Sequence, residues 1–291
     1  MAVLTAKGVS ALAVELLTRM LVLPMTVSRI PGEEFAGGNG DTITVRVPQP
    51  SVARKQANRG DLITYDDITE VPVDVSLEHL YHAKRVTDEE LSFDIADFGR
   101  QITRPQVEAV ASGAEAELAA AMNAMPSELS ITADGSNIDA IILEAREQLG
   151  RANVPLSDRW MAVSPEVATF VLALDNVSRV DASGSPSALR DAVITRYRGF
   201  NFVESAGLTA GHAVAYHKSG FAFANRTPVT PRGVVNSTAT TVANGIGVRQ
   251  IFQYVPDRLS DASVVSTFAG AAPVTDAGGA TPRAIKITTA P

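Results

Sequence analysis

The stretch Thr103–Met122, TRPQVEAVASGAEAELAAAM, is the clearest helical signal in the sequence and the segment around which the fold is interpreted. Seven of the thirteen residues from 109 to 121 are alanine, the residue with the highest helix propensity. Pro105 falls in the first turn, where its missing N–H costs nothing, and Pro126 ends the segment. We therefore expect a rod of about 20 residues and about 30 Å. Its apolar stripe consists of Val107, Val110, Ala111, Ala114 and Leu118.

Two strands connected by a long polar loop precede this helix. Asp41–Val47 and Val71–Leu77 alternate apolar and polar side chains, as half-buried strands do, and Pro72 favours an edge position. About twenty residues connect them although two would close a hairpin, and loops of such length are usually functional. The loop is either a solvated, mobile connection or a projecting arm whose charges meet those of neighbouring chains. Its candidate intermolecular contacts are first basic and then acidic: Arg54, Lys55, Arg59, Asp61, Asp66, Asp67 and Glu70.

Two shorter helices are predicted in the same half of the chain. Residues 8–22 carry apolar side chains at spacings of three and four, so this helix packs either on its own core or on a neighbouring chain. The loop Pro31–Gly40, with four glycines, separates it from the first strand. Thr87–Glu90 has the spacing of a capping box, which predicts a short helix through Phe98.

The second half alternates helices and strands and contains no internal repeat. Ser136 is predicted to cap a helix that ends at Gly150, and Ser164 to cap one that runs to Leu174. A loop is expected at 181–186. The last twenty residues are rich in Ala, Gly, Thr and Pro, which predicts a flexible tail. Strands are predicted at 159–163, 200–203, 213–217, 221–224, 248–255 and 263–268.

Composition and charge exclude several classes of function. The 291 residues are 45% hydrophobic, enough for a sizeable core, and contain no cysteine, which excludes disulfides and thiolate chemistry. The net charge of −7 argues against a protein that grips nucleic acid, so any DNA it meets is expected to be enclosed rather than clasped. No apolar run reaches the roughly 18 residues of a membrane span, and we expect a soluble, unexported protein.

No catalytic, cofactor or metal motif is apparent. His79 and His82 are three residues apart on a predicted strand and point to opposite faces, as do His212 and His217, so a shared metal is not expected. The sequence lacks the G-x-S-x-G elbow and a phosphate-binding loop. Acidic residues occur as sequence neighbours, without a second carboxylate placed opposite them. The sequence therefore predicts a non-enzymatic protein that needs no cofactor.

The order of these segments resembles the Hong Kong 97-type shell fold of tailed-bacteriophage major capsid proteins, and the local sequence looks most like the P-twenty-two-type coat-protein branch. The stretches that carry the resemblance are residues 31–48, residues 71–91 with TDEEL, LGRANVPLSDRWMAVSP at 149–165, and Arg198–Phe200. It spans roughly residues 5 to 270 and implies an α+β fold.

The resemblance also implies a division of the chain and a set of partners. Residues 1–30 would form an N-terminal arm, 31–86 an extended hairpin across the adjacent subunit, 87–130 a peripheral domain with the long helix as its spine, 131–235 an axial domain, and 236–291 returning strands and the tail. Many copies would form the hexamers and pentamers of an icosahedral shell around double-stranded DNA, assembled in the host cytoplasm with a separate scaffolding protein and a portal. The chain lacks room for the inserted domain of the enterobacterial branch, and no motif around Lys55 supports the hairpin cross-link of some relatives.

Three alternatives remain open at this point. The same fold could build an encapsulin-type compartment with another cargo. A tail or adhesion protein would form rings or fibres instead of closed shells. A hydrolase or transferase of unrecognised type would need a cleft with perturbed ionisable groups.

Overall fold

The computed structural model describes residues 22–30, 40–48, 53–56, 58–60, 62–63, 65, 67, 70–94, 98–174, 177, 196–231, 233, 236–241, 247–276 and 281–290. The predicted helix at 8–22 and the glycine-rich loop at 31–40 lie outside these residues apart from residues 22 and 40, and the loop at 181–186 lies outside them entirely.

Helices and strands are mixed along the chain, and the predicted α+β class is confirmed. The helices are α1 (Arg104–Asn123), α2 (Ile138–Arg151) and α3 (Pro165–Leu172). The strands are β1 (Ser28–Ile30), β2 (Thr42–Pro48), β3 (Glu70–Ser76), β4 (Glu78–Thr87), β5 (Ser127–Ile131), β6 (Arg159–Val163), β7 (Arg196–Tyr197), β8 (Phe200–Glu204), β9 (His212–His217), β10 (Phe221–Arg226), β11 (Asn236–Thr241), β12 (Gly247–Val255), β13 (Ser260–Pro273) and β14 (Ala284–Thr289).

The first sheet is built around the long strand β13. Its order is β1-β10-β13-β12-β11, and β4 pairs antiparallel with β13 on the side opposite β12. Helix α1 packs across β13 and β4. All five residues of the predicted stripe are buried there, so the predicted helix and its buried face are confirmed. Burying each large aliphatic side chain stabilises the contact by about 1.5–3 kcal/mol.

One polar side chain is buried between α1 and this sheet. The Gln106 side-chain amide donates to the Ser263 carbonyl at 2.9 Å and accepts from the Ser263 hydroxyl at 2.7 Å. Both residues are buried, and each provides the hydrogen-bond partner that a buried polar group needs. The contact positions the first turns of α1 over β13.

The capping box ahead of α1 is confirmed. The Thr87 N–H donates to Glu90 Oε2 at 2.9 Å, and the Glu90 N–H donates to Thr87 Oγ1 at 3.3 Å. Helical backbone follows as a wide, five-residue turn at Glu90–Asp94 and a second one at Gly99–Thr103 that leads directly into α1. Because the chain is already helical at Thr103, its side chain makes no cap at the start of α1.

The second sheet has the order β5-β14-β9-β6-β8-β7 and carries α2 and α3. The predicted cap of α2 is wrong: Asn137, not Ser136, precedes the helix, which ends at Arg151 rather than Gly150. The Asn137 side-chain oxygen accepts the Thr132 N–H at 2.8 Å and so closes the preceding turn. Helix α3 begins after Ser164 as predicted, but the Ser164 side chain makes no capping hydrogen bond, and the helix ends at Leu172 rather than Leu174.

The flexible C-terminal tail is a second wrong prediction. Residues 284–289 form β14, an interior strand that pairs parallel with β5 and antiparallel with β9. Ala284, Ile285 and Ile287 are buried in the core under α2 and in the contact with the first sheet. Alternating apolar side chains thus override a composition that is typical of a loose tail.

The two halves of the molecule are joined at the end of α1. The buried Lys286 ammonium donates at 2.6 Å to the carbonyl of Asn123, the last residue of α1. The final carbonyls of a helix lack partners and carry partial negative charge, so a cation there is favourable. A second contact joins the two sheets, because the hydroxyl of Thr26, just before β1, contacts the buried hydroxyl of Tyr216 in β9. Strand β14 is therefore fixed to the spine helix.

Candidate assembly surface

The paired strands β2 and β3 form the base of the predicted hairpin. They are antiparallel from Thr42↔Ser76 to Pro48↔Glu70. The inner face packs on the first sheet through a small apolar cluster, and its fully buried members are Val47, Val73, Val75, Ala222, Ala224 and Val274. The hairpin base is therefore anchored to the body of its own subunit.

Polar contacts hold the outer face of the same base. Thr44 Oγ1 donates to Asp74 Oδ1 at 2.6 Å, and the Arg46 guanidinium lies 3.6 Å from the Glu70 carboxylate. Both members of the ion pair are exposed, so it contributes little to stability. Glu70 thus has a partner within the hairpin as well as an exposed side chain.

The chain passes from β3 to β4 in close contact with β13. A Cβ added at Gly270 would lie 1.9 Å from the Ser76 carbonyl oxygen. The Leu77 N–H donates to the Asp41 carbonyl at 2.8 Å and holds the two ends of the hairpin together. Only glycine permits this approach of two backbones, so residue 270 sets where the hairpin leaves the body.

The predicted contact residues lie in the loop that connects the two strands. Arg54, Lys55, Arg59 and Asp67 are exposed there, and Glu70 is the first residue of β3. Asp61 and Asp66 lie outside the described residues. Between 53 and 60 the sequence has three basic residues and no acidic one, so this part of the loop is a strongly positive segment.

Sequence reasoning missed the apolar residues of this loop. Leu62 is 99% exposed, Tyr65 83% and Ile63 63%. These three residues, named here the tip cluster, fit neither a strand nor a helix period and were hidden within a polar loop. The signal that could have found them is the occurrence of large apolar side chains where no local core exists, since contiguous exposed apolar surface marks interaction sites.

A second set of exposed apolar side chains lies beside the capping box that follows β4. It consists of Leu91, Phe93 and Leu259, exposed by 41%, 85% and 65%, and is named here the Phe93 surface. The Asp88 N–H donates to the Leu259 carbonyl at 3.2 Å, and the Tyr254 hydroxyl donates to Asp88 at 2.9 Å. These bonds join the capping-box segment to the turn between β12 and β13. Leu259 has φ +43°, a left-handed conformation that is uncommon for a large side chain.

Arg198 and Arg159 make structural contacts within the described part of the chain. Arg198 makes two bonds to Asp139, of 2.8 and 3.0 Å, which hold the pKa of that carboxyl below its ordinary value. The buried Arg159 donates to the carbonyls of Pro155, Arg146 and Val154 and closes the loop before β6. Both groups have protein partners that account for their charge.

One shallow cleft of about 190 Å³ lies beside the end of α2. Among its lining residues are Glu128, Gln148 and Thr281, and burial raises the pKa of the Glu128 carboxyl. A lone carboxyl group has no second acid or base to work with. In the described part of the chain, no cluster of three or more potential metal ligands occurs, and no helix is both long and apolar enough to span a bilayer.

The architecture matches solved shell proteins along nearly the whole chain. A structure from Mycobacterium phage Che8 shares 19% identity at a TM-score of 0.66, with 92% of this chain and 90% of that chain covered. The capsid structure of the cyanophage P-SCSP1u shares 12% identity at a TM-score of 0.67, covering 93% and 88%. A virus-like particle from Pyrococcus furiosus shares 10% at 0.57, covering 97% and 98%. The fold is the Hong Kong 97-type capsid fold.

The family follows from the sequence. Residues 95–282 match the family described as phage capsid protein, and the matched part is about two thirds of the chain. The chain belongs to the phage capsid protein family. It is a major capsid protein, the structural subunit of an icosahedral shell, and its place is the virion capsid. No curated protein sequence matches it significantly.

Proposed function

We propose that many copies of this chain assemble into pentamers and hexamers, and that the closed shell encloses a double-stranded DNA genome without sequence-specific binding. The observation that carries the proposal is the family match over residues 95–282. The net charge of −7 supports it, because an acidic subunit does not hold packed DNA by its phosphates. Assembly takes place in the host cytoplasm, with a separate scaffolding protein and a portal as partners. The subunit has no enzymatic activity of its own.

We further propose that the chain belongs to the P-twenty-two-type branch and keeps the division given by the resemblance. The arm would be residues 1–30, the hairpin 31–86, the peripheral domain 87–130 and the axial domain 131–235. Residues 236–291 would form the strands that return to the peripheral domain, and the tail. The packing of α1 on the first sheet supports a peripheral unit, and the separate core of the second sheet supports an axial one. Two strands cross this division, since β10, within 131–235, pairs in the first sheet and β14, within 236–291, pairs in the second.

The first test is assembly of the purified chain, followed by light scattering and negative-stain electron microscopy. Closed particles of uniform diameter and megadalton mass are the expected product, with co-expressed scaffolding protein if the chain alone stays monomeric. A small oligomer that never closes, with or without scaffolding protein, would contradict the proposal and favour a tail protein. Nuclease-protected DNA inside particles from the natural source separates a phage head from an encapsulin-type compartment, which has the same fold.

The hairpin loop is the proposed intersubunit contact. The candidates Arg54, Lys55, Arg59, Asp61, Asp66, Asp67 and Glu70 would meet complementary charges on neighbouring subunits. Reversal of the three basic residues to Glu replaces a charge of +3 by −3 on an exposed segment. Charge complementarity controls the rate and specificity of association, so we expect a folded subunit that assembles poorly.

A smaller charge reversal elsewhere on the subunit, with a change of −4 instead of −6, is the control for this experiment. Arg196 and Lys218 are exposed and lie in the second sheet region, far along the chain from the loop. Their change to Glu should leave assembly close to normal. Normal shells from the triple loop variant would show that the loop charges are dispensable.

A further inference from the structure

Two connections between the sheets lie side by side. The first is the turn Lys218–Gly220, which leads from β9 of the second sheet to β10 of the first. The second leads from β13 of the first sheet to β14 of the second. At its start the Val274 N–H donates to the Gly220 carbonyl, and at its end the Arg283 carbonyl accepts the His217 N–H, both at 2.9 Å. The turn is therefore bonded to both ends of the neighbouring connection.

The side chain of His217 caps this turn. The Ser219 N–H donates to His217 Nδ1 at 3.2 Å, and Ser219 Oγ lies 2.8 Å from the same nitrogen. Because a backbone N–H can only donate, Nδ1 is the unprotonated nitrogen of a neutral ring whose proton is on Nε2. The Arg283 guanidinium donates to Ser219 Oγ at 3.5 Å, which leaves the hydroxyl proton to face the ring. The cap thus exists only while His217 is neutral.

Protonation of His217 would place two N–H groups against each other. The charged ring has hydrogens on both nitrogens, so Nδ1 could no longer accept from the Ser219 N–H. The new charge would also meet cations that already act on the ring from β6, from the turn and from the residue before β14. These are Arg159, Lys218 and Arg283.

The surroundings of the ring include one group that favours its charged form. Asp158, the residue before β6, attracts a protonated His217. Asp276 is engaged by Arg283 at 3.5 Å. Strand β1 contributes the neutral hydroxyl of Ser28, which donates to the backbone of the turn at 3.2 Å. Burial of the ring, together with the three cations, outweighs Asp158 and holds the pKa of His217 below its ordinary value of 6.5.

We propose that His217 makes the connection between the two sheets sensitive to acid: the neutral ring caps the turn Lys218–Gly220, and protonation releases the cap and loosens both connections. The stabilisation by the cap is present in full above pH 6.5 and is lost as the pH falls through the lowered pKa of this ring. Both connections respond because the turn is bonded to the ends of the second one, at Val274 and Arg283. The device lies within one subunit, so it does not depend on the role of the hairpin or on what the shell encloses.

Hydrogen–deuterium exchange of the purified full-length chain tests this device, whether the chain is monomeric or assembled. The backbone amides of residues 217–221 are followed by mass spectrometry between about pH 8 and about pH 5, the range in which histidine titrates. Each rate is divided by the intrinsic rate of an unfolded peptide at the same pH. Loss of an N-cap makes opening of a turn about fivefold more frequent, so we expect a rise of about that size at the acidic end.

His217→Asn is the decisive variant. Asparagine is a good N-cap, and its side-chain oxygen accepts an N–H throughout this pH range, so the corrected exchange of residues 217–221 should stay constant. His79→Asn replaces an exposed histidine of β4 as the matched control and should keep the rise of the wild type. An equal rise in the wild type and in His217→Asn, or no rise in the wild type, would overturn the proposal.

Two further variants separate the cap from other effects. His217→Ser supplies a second neutral cap and should give the same constant exchange where His217→Asn fails to fold. Ser219→Ala removes the hydroxyl but keeps the N–H donor, so it should retain the rise in acid. Constant exchange in Ser219→Ala would show that the cap is not the acid-sensitive bond and would also refute the proposal. Thermal unfolding at neutral pH checks that each variant is folded.

Discussion

Replacement of Gly270 by alanine is expected to displace the base of the hairpin. The added Cβ would lie 1.9 Å from the Ser76 carbonyl oxygen and 2.9 Å from its carbon, whereas real Cβ contacts below 3.0 Å essentially do not occur. The oxygen must therefore retreat by at least 3.0 − 1.9 = 1.1 Å. The neighbouring atoms belong to backbone and cannot rotate aside as a side-chain end could. Overpacking of this kind typically costs about 1–3 kcal/mol.

Thermal unfolding of the purified subunit measures this cost. A chain of this size loses about 2–4 °C of melting temperature per kcal/mol, so Gly270→Ala should melt about 2–12 °C lower. Gly150→Ala is the matched control, because Gly150 lies inside α2 with no atom within 4 Å of an added Cβ. Gly150 is the penultimate residue of α2, so alanine there should be neutral or should stabilise the subunit by up to about 0.5 kcal/mol.

Assembly provides the second readout for the same variant. A hairpin base moved by an ångström or more should present its tip wrongly to neighbouring subunits, and we expect fewer or irregular particles even below the melting temperature. If Gly270→Ala melts with the wild type and builds normal shells, the close approach of Ser76 does not control the hairpin, and the reasoning fails.

Three further changes test the subunit itself. Ala116→Pro in the middle of α1 should cost about 3 kcal/mol or more and leave little folded subunit by circular dichroism. Lys286→Met removes the donor to the Asn123 carbonyl and should lower the free energy of unfolding in urea by about 1–3 kcal/mol. Asp139 has its pKa lowered from 3.8, mainly by the Arg198 bonds, so its contribution is full above pH 3.8 and lost as the pH falls through the lowered value; Asp139→Asn should flatten the acid side of the stability profile.

Conservative changes control these experiments. Ala116→Gln keeps a good helix former at an exposed position and should stay within about 0.5 kcal/mol of wild type. Lys218→Met removes an exposed lysine and Glu144→Gln an exposed carboxylate on α2, and both should be similarly silent. Wild-type stability for Lys286→Met would show that the helix end is satisfied by other groups.

The sequence predicted secondary structure best where the local pattern of residues and the packing in the core favour the same element. The alanine content and the first-turn proline both predicted helix α1, and the spacing of three and four residues predicted which face of it is buried. The hairpin strands and the capping box followed from period-two alternation and from a spacing of three. These features depend on residues that are close in sequence.

The failures depended on contacts that are distant in sequence. β14 was missed because its environment comes from β5 and β9, and its own composition resembles that of a loose tail. The Ser136 cap was misplaced because Asn137 takes part in a turn with Thr132 that a capping rule does not include. The tip cluster was missed because its apolar side chains follow neither a helix nor a strand period.

The position of β14 also has a consequence for synthesis. This strand lies between the edge strand β5 and β9 in the second sheet, yet it is translated about 150 residues after β5. At about 5–20 residues per second, the gap lasts roughly 8–30 s. The edge of β5 stays unpaired for this time, and the edge of β9, which is translated about 67 residues before β14, for roughly 3–13 s. Strands of neighbouring nascent chains can pair with both edges. A chain that terminates before β14 keeps these edges unpaired. We therefore expect such a chain to aggregate or to be degraded instead of joining the shell.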